Sequence, residues 1–121
     1  MKICKIFSWD AAHFLTLPYA SKCANMHGHT YKVEIEVEGP INSDGMVLDF
    51  TMFKSMTDPA SFDHQLLNGM EYFKDKNPTA EHLVEYIYHY ITQTWVWPDI
   101  HVSRIRVWET PNSWAEQVWS K

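Results

Sequence analysis

Only two cysteines, Cys4 and Cys23, occur in 121 residues, too few for the disulfide framework by which small secreted domains supplement their cores. Both are expected as free thiols in a reducing compartment, and the chain reads as cytoplasmic. No apolar run approaches the roughly 20 residues that a membrane-spanning helix needs. The opening MKICKIFSWDAAHF carries charges inside any would-be apolar stretch, so neither a signal peptide nor a membrane span is expected. Basic residues are scarce as well. Ten Lys and Arg against fifteen Asp and Glu leave a net charge of −5 with no basic stripe, which argues against a nucleic-acid partner. An anionic substrate would have to be held locally. The chain shows no repeat, linker or low-complexity segment.

What is present fits one domain over residues 1–121, large enough for a single core and too small for two. Hydrophobic residues make up 45%, so the chain is globular, and six Trp in so short a chain point to large apolar contacts, including a subunit interface. The most informative stretch is CANMHGHTYKVEIEVEG, from Cys23 to Gly39. From Tyr31 onward Tyr31, Val33, Ile35 and Val37 alternate with Lys32, Glu34, Glu36 and Glu38, the period of a half-buried strand. Extending that parity backwards puts His29 and His27 on the apolar side. Two inward imidazoles shortly after a thiol are what a zinc site on a rigid support requires.

The remaining elements follow from local signals. Lys2 to Leu15 reads as a strand with Phe7, Trp9, Ala11 and His13 on its more apolar parity. A loop through Pro18 and Asn25 brings Cys23 to the start of the second strand. If these strands pair antiparallel, His13 meets His27 and His29 at one end of the hairpin, giving three nitrogen ligands and an open fourth position. MVLDF reads as a short strand ending at Asp49, an N-cap for a helix over Phe50–Thr57 that Asp58-Pro59 stops. ASFDHQLLNG has no clear period. Thr79 caps a longer helix, AEHLVEYIYHYITQTW, striped by Leu83, Val84, Ile87, Ile91 and Trp95. VSRIRVWE and WAEQVWS read as the last two strands, with Glu109 in an inward slot. The order of elements predicts an α+β domain in which two helices pack on one face of an antiparallel four-stranded sheet.

Each candidate has a plainer reading. A single histidine such as His13 on an apolar strand face reads as a hydrogen-bonded core residue, whereas His27-Gly28-His29 fits a ligand pair better. Cys23 alone reads as a small packed hydrophobe, and its nearness to the histidines makes a chemical role an equal reading. Asp63-His64 is an ordinary loop pair unless it lies near the site, where the carboxylate would orient the imidazole for proton transfer near neutral pH. Glu109 carries more weight, because an inward carboxylate requires a partner and can accept from two adjacent N–H groups of a planar heterocycle. His82, Glu85 and His89 read as a solvated helix face, and His101 as a loop residue.

The runs FSWDAAHFL, KCANMHGHTYKVEIEVEG, GMVLDF, FDHQLLN, NPTAEHLVEYI and VWET resemble, in order and along nearly the whole chain, the 6-pyruvoyltetrahydropterin synthase and 6-carboxytetrahydropterin synthase family. The resemblance implies the tunnelling fold and a homo-oligomer, a hexamer with active sites between subunits. It also implies Zn²⁺ bound by His13, His27 and His29, with Cys23 as catalytic thiolate and Asp63 with His64 as proton relay. Glu109 would anchor the pterin, and Thr79 and Ala80 would line its pocket. The three residues between Cys23 and His27 make the spacing similar to that of the bacterial carboxy-forming enzymes of the queuosine pathway. A branch serving folate synthesis, with Glu in place of the Cys, is disfavoured by Cys23. The implied reaction is zinc-assisted lysis of dihydroneopterin triphosphate. Elimination of triphosphate alone, giving the pyruvoyl product, and a non-catalytic zinc- or pterin-binding module stand as alternatives.

Overall fold

The computed structural model describes residues 1–58 and 62–121. Its sheet contains β1 (Lys2–His13), β2 (His27–Glu38), a two-residue β3 (Gln65–Leu66), β4 (His101–Thr110) and β5 (Ser113–Val118), in the order β3-β1-β2-β4-β5. Every pairing is antiparallel except that of β3 with β1. The four expected strands therefore form, and a fifth short parallel strand is added from the segment that showed no period. The alternation in β2 has the anticipated consequence: Tyr31, Val33, Ile35 and Val37 are completely buried.

Two helices cover this apolar face, α1 (Phe50–Thr57) and α2 (Ala80–Thr92). Asp49 caps α1 by accepting from the Thr51 and Met52 amides, and Thr79 caps α2 by accepting from that of His82. Pro59, expected to end α1, lies outside the described residues, as do Ala60 and Ser61 of the following segment. Leu83, Val84, Ile87 and Ile91 of α2 join Phe53, Phe62, Leu67, Ile105 and Val107 in one core.

Three boundaries differ from the sequence reading. MVLDF forms no strand: it joins no edge of the sheet, and Val47 and Leu48 are instead buried as coil. Helix α2 stops at Thr92, before Trp95, whose indole N–H instead donates to the Ile100 carbonyl at 2.7 Å and folds the loop back toward β4. His101 is the first residue of β4 rather than a loop residue. The opposite sheet face is a ladder of charges. Glu36 accepts from the Ser103 hydroxyl at 2.8 Å and from Arg104 Nε at 3.3 Å, with Lys2 Nζ 3.7 Å away. Arg106 stacks on Trp114 and pairs with Glu116.

Candidate metal centre and adjoining cavities

Three imidazoles converge where β1 ends and β2 begins. His13 and His27 are direct cross-strand partners, and His29 lies opposite Ala11, two residues further along the same face. Their ligand atoms all lie within 4.8 Å of one another, and this is the one such His, Cys and carboxylate group found among the described residues. His13 is 1% exposed.

The hydrogen bonds fix which nitrogen each of two rings offers. His13 Nδ1–H donates to the Pro78 carbonyl and His27 Nδ1–H to the Asn25 carbonyl, each at 2.7 Å, because a carbonyl can only accept. That leaves Nε2 of each neutral ring with a lone pair, and these two atoms are 3.0 Å apart. Two lone pairs at that separation require a shared cation, a proton or a metal ion. His29 Nε2 is buried with no hydrogen-bond partner, an orphaned acceptor or donor of the kind that a bound ion explains. Burial pushes the His29 pKa down, and His13 and His27 add to this against the opposing charge of Glu109. The neutral ring is the form that ligates a metal. The residues therefore fit a cation held by three histidine nitrogens, and neutral nitrogen donors suit zinc among several transition metals.

Glu109 projects toward this cluster from the end of β4. Its Oε1 lies 3.7 Å from His13 Nε2 and 4.0 Å from His29 Nε2. The same residue lines a cavity of about 370 Å³ together with Leu15, Thr79, Ala80 and Trp114. The inward carboxylate expected from the strand parity thus stands between the histidines and the Thr79-Ala80 pocket.

A second cavity, about 520 Å³, opens beside His29 and His64 and is floored by Asp10, Gly28 and Thr30. Asp63 is fixed there by the backbone: the Asp10 amide donates to Asp63 Oδ1 at 2.9 Å, and the His64 amide returns a bond to the Asp10 carbonyl at 2.6 Å. Asp63 Oδ2 lies 3.2 Å from His64 Nδ1, and the His64 side chain is 78% exposed. His64 holds this position with φ of 59°, in the left-handed region that costs a non-glycine residue energy. Cys23 sits in a short 3-10 turn, Lys22–Ala24, where the Ser21 hydroxyl accepts from its amide and its carbonyl accepts from the Leu15 amide at 2.8 Å. It is partly exposed and lines neither of the two cavities.

Several contributors escaped the sequence reading. The Pro78 and Asn25 carbonyls are backbone groups and leave no side-chain signal. Tyr31 looked like an apolar core residue, yet its hydroxyl lies 3.4 Å from His13 Nδ1, and burial raises its pKa, helped by Glu109. Asp10 occupies the polar parity of β1, where nothing distinguishes it from a solvated carboxylate. Its carboxylate nonetheless accepts from the Thr30 hydroxyl at 2.5 Å, while its backbone amide donates to Asp63. His82, expected on a solvated face, is partly buried and donates from Nδ1 to the Asn77 carbonyl at 2.6 Å.

The family described as 6-pyruvoyl tetrahydropterin synthase matches residues 2–118. A Haemophilus influenzae protein named 6-carboxy-5,6,7,8-tetrahydropterin synthase is 33% identical, over 95% of this chain and 96% of its own. A Pyrococcus furiosus protein named dihydroneopterin monophosphate aldolase is 32% identical, over 93% of this chain and 92% of its own. The Caenorhabditis elegans 6-pyruvoyl tetrahydropterin synthase structure superposes with a TM-score of 0.87 at 24% identity, covering 99% of this chain and 96% of that one, which establishes the fold.

Proposed function

We propose that this chain, which belongs to the 6-pyruvoyl tetrahydropterin synthase family, is a zinc-dependent lyase. Its reaction converts 7,8-dihydroneopterin triphosphate to 6-carboxy-5,6,7,8-tetrahydropterin with release of triphosphate and acetaldehyde, a step toward queuosine. The observation that carries the proposal is the three-histidine cluster with Glu109 3.7 Å from His13 and 4.0 Å from His29, the same Glu109 lining the Thr79-Ala80 cavity. Zn²⁺ held by His13, His27 and His29 supplies a Lewis acid that acidifies the substrate's side-chain hydroxyls.

The chain's own groups do the rest. Glu109 accepts from the N–H groups of the pterin ring, and the Thr79-Ala80 wall confines it, so the side chain is oriented before any proton moves. Cys23 as thiolate removes a proton from the carbon next to an acidified hydroxyl. His64, oriented by Asp63, exchanges the second proton with bulk water, for which its exposed position is suited. Cys23 does not line the His64 cavity within one chain, and the family resemblance adds a homo-oligomer, a hexamer, whose sites are completed between subunits.

The alternative within the family is elimination of triphosphate alone, giving the pyruvoyl product that the family's description names. Turnover of dihydroneopterin triphosphate by zinc-loaded protein, with products resolved by mass and acetaldehyde trapped, separates the readings. A carboxypterin with acetaldehyde, lost in Cys23→Ala, supports the proposal, and a pyruvoyl product moves the chain to the alternative. Folded, zinc-loaded protein that binds pterin without turnover would make it a binding module.

A further inference from the structure

The segment after β1, residues 14–16, has no strand on its outer side, yet most of its backbone polar groups are engaged. Two asparagine side chains take the place of a strand. The Phe14 amide donates to Asn68 Oδ1 and Asn68 Nδ2 donates back to the Phe14 carbonyl, both at 2.9 Å. Two residues on, the Thr16 amide donates to Asn77 Oδ1 at 2.8 Å and Asn77 Nδ2 donates to the Thr16 carbonyl at 2.9 Å. Between them, on the other edge, the Leu15 amide donates to the Cys23 carbonyl at 2.8 Å.

Asn77 differs from Asn68 in what its backbone does. Its carbonyl accepts from the Thr79 amide at 2.9 Å and from His82 Nδ1 at 2.6 Å, which anchors it to the start of α2. The next carbonyl along, that of Pro78, receives His13 Nδ1–H at 2.7 Å. One residue therefore ties the backbone opposite the Cys23 turn to the carbonyl that selects the His13 tautomer. An in-plane donor and acceptor pair is needed for the Thr16 clamp, and only a carboxamide among uncharged side chains provides it.

We propose that Asn77 is a positioning residue for both the metal ligand His13 and the thiol of Cys23, holding them at a fixed mutual placement without touching substrate. This rests on the function proposed above for its purpose, but its test does not use turnover. The Thr16 clamp faces solvent, so water replaces much of its strength when it is removed. Its loss should cost precision rather than folding.

The test uses Co²⁺ as the metal probe on the full chain, with Asn77→Asp and Asn77→Ala. Asn77→Asp keeps the acceptor for the Thr16 amide and sets an oxygen against the Thr16 carbonyl. Both variants should bind Co²⁺ about tenfold to a hundredfold more weakly by chelator competition, the usual loss when a partner of a ligating histidine is displaced. The visible Co²⁺ spectrum should change, and iodoacetamide should alkylate Cys23 several-fold faster, with Cys4 resolved by peptide mapping. A measurement on the wild type covers the case in which neither variant folds: Co²⁺ loading should slow hydrogen exchange at the Thr16 amide, because fixing His13 fixes Pro78 and Asn77. Folded Asn77 variants with wild-type affinity, spectrum and alkylation rate would overturn the proposal, and so would Thr16 exchange that ignores the metal. A wild-type chain that binds Co²⁺ but turns over no pterin leaves this inference standing and removes the function above; one that binds no Co²⁺ removes both.

Discussion

Asp63 is engaged in two different ways, and two substitutions separate them. Its Oδ1 accepts the Asp10 amide and thereby docks the turn before β3 onto β1, while its Oδ2 faces the His64 ring. Asp63→Ala removes both. A hydrogen bond to a carboxylate contributes about 1.5–3 kcal/mol when shielded and nearer 1 kcal/mol where water competes, as it does at this exposed amide. The His64 contact adds almost nothing to stability, because its ring is largely in solvent. The expected loss is about 1 kcal/mol, which at an unfolding entropy of about 2.1 cal/mol/K per residue lowers the melting temperature by about 4 °C. Asp63→Asn keeps the Oδ1 acceptor and should stay within about 0.5 kcal/mol of wild type. It nevertheless deprives His64 of its carboxylate, so turnover of the pterin triphosphate should fall about a hundredfold, the lower end for impaired acid–base catalysis. Urea unfolding and steady-state kinetics on both variants provide the assay. If Asn destabilises as much as Ala, or if Asn retains full turnover, the division of roles between the two oxygens is wrong.

Zinc at about one hundred times its dissociation constant should stabilise the fold by about 2.7 kcal/mol, and thermal scans should show this increment vanish in His29→Ala. Glu36 provides a pH prediction: burial alone would raise its pKa, but the Ser103 hydroxyl, Arg104 and Lys2 together hold it below 4.5. A depressed carboxylate stabilises the fold above its unfolded pKa and loses that contribution as pH falls through the folded value, so wild type should weaken on acidification below 4.5, and Glu36→Gln should show a shallower decline in denaturant titrations at stepped pH. Leu83→Ala, at a fully buried position of α2, should cost about 2–5 kcal/mol by chemical denaturation; a loss below 1 kcal/mol would show that α2 is not seated on the sheet as described.

The sequence was most legible where periodicity and burial agree. The alternation of β2 identified both the apolar face and the inward direction of His27 and His29, because side-chain direction in a strand follows from parity alone. Both helix caps were readable for a similar reason: Asp49 and Thr79 act on amides two or three residues away. Pairing partners were harder to read. MVLDF has strand composition, but it pairs with no strand of the sheet, an outcome set by residues far away in sequence. Gln65–Leu66 became a strand because the contacts of Asp63 and His64 with Asp10 carry it onto Ala11 and Ala12, and no local pattern announces that. At the site, histidines and carboxylates were visible as residue types, whereas the carbonyls of Asn25 and Pro78 and the amide clamps of Asn68 and Asn77 are relations between distant segments.

The direct opposition of His13 and His27 would give a metal bound there a part in the assembly of the hairpin. A slip of one residue between β1 and β2 would send one of the two imidazoles to the charged face and leave the other without its partner. Only the native registration therefore creates a high-affinity site, so metal uptake during refolding reports when the two strands have aligned. An ion captured at that moment would act as a latch at the loop end of the hairpin, drawing the population toward the aligned pairing by mass action.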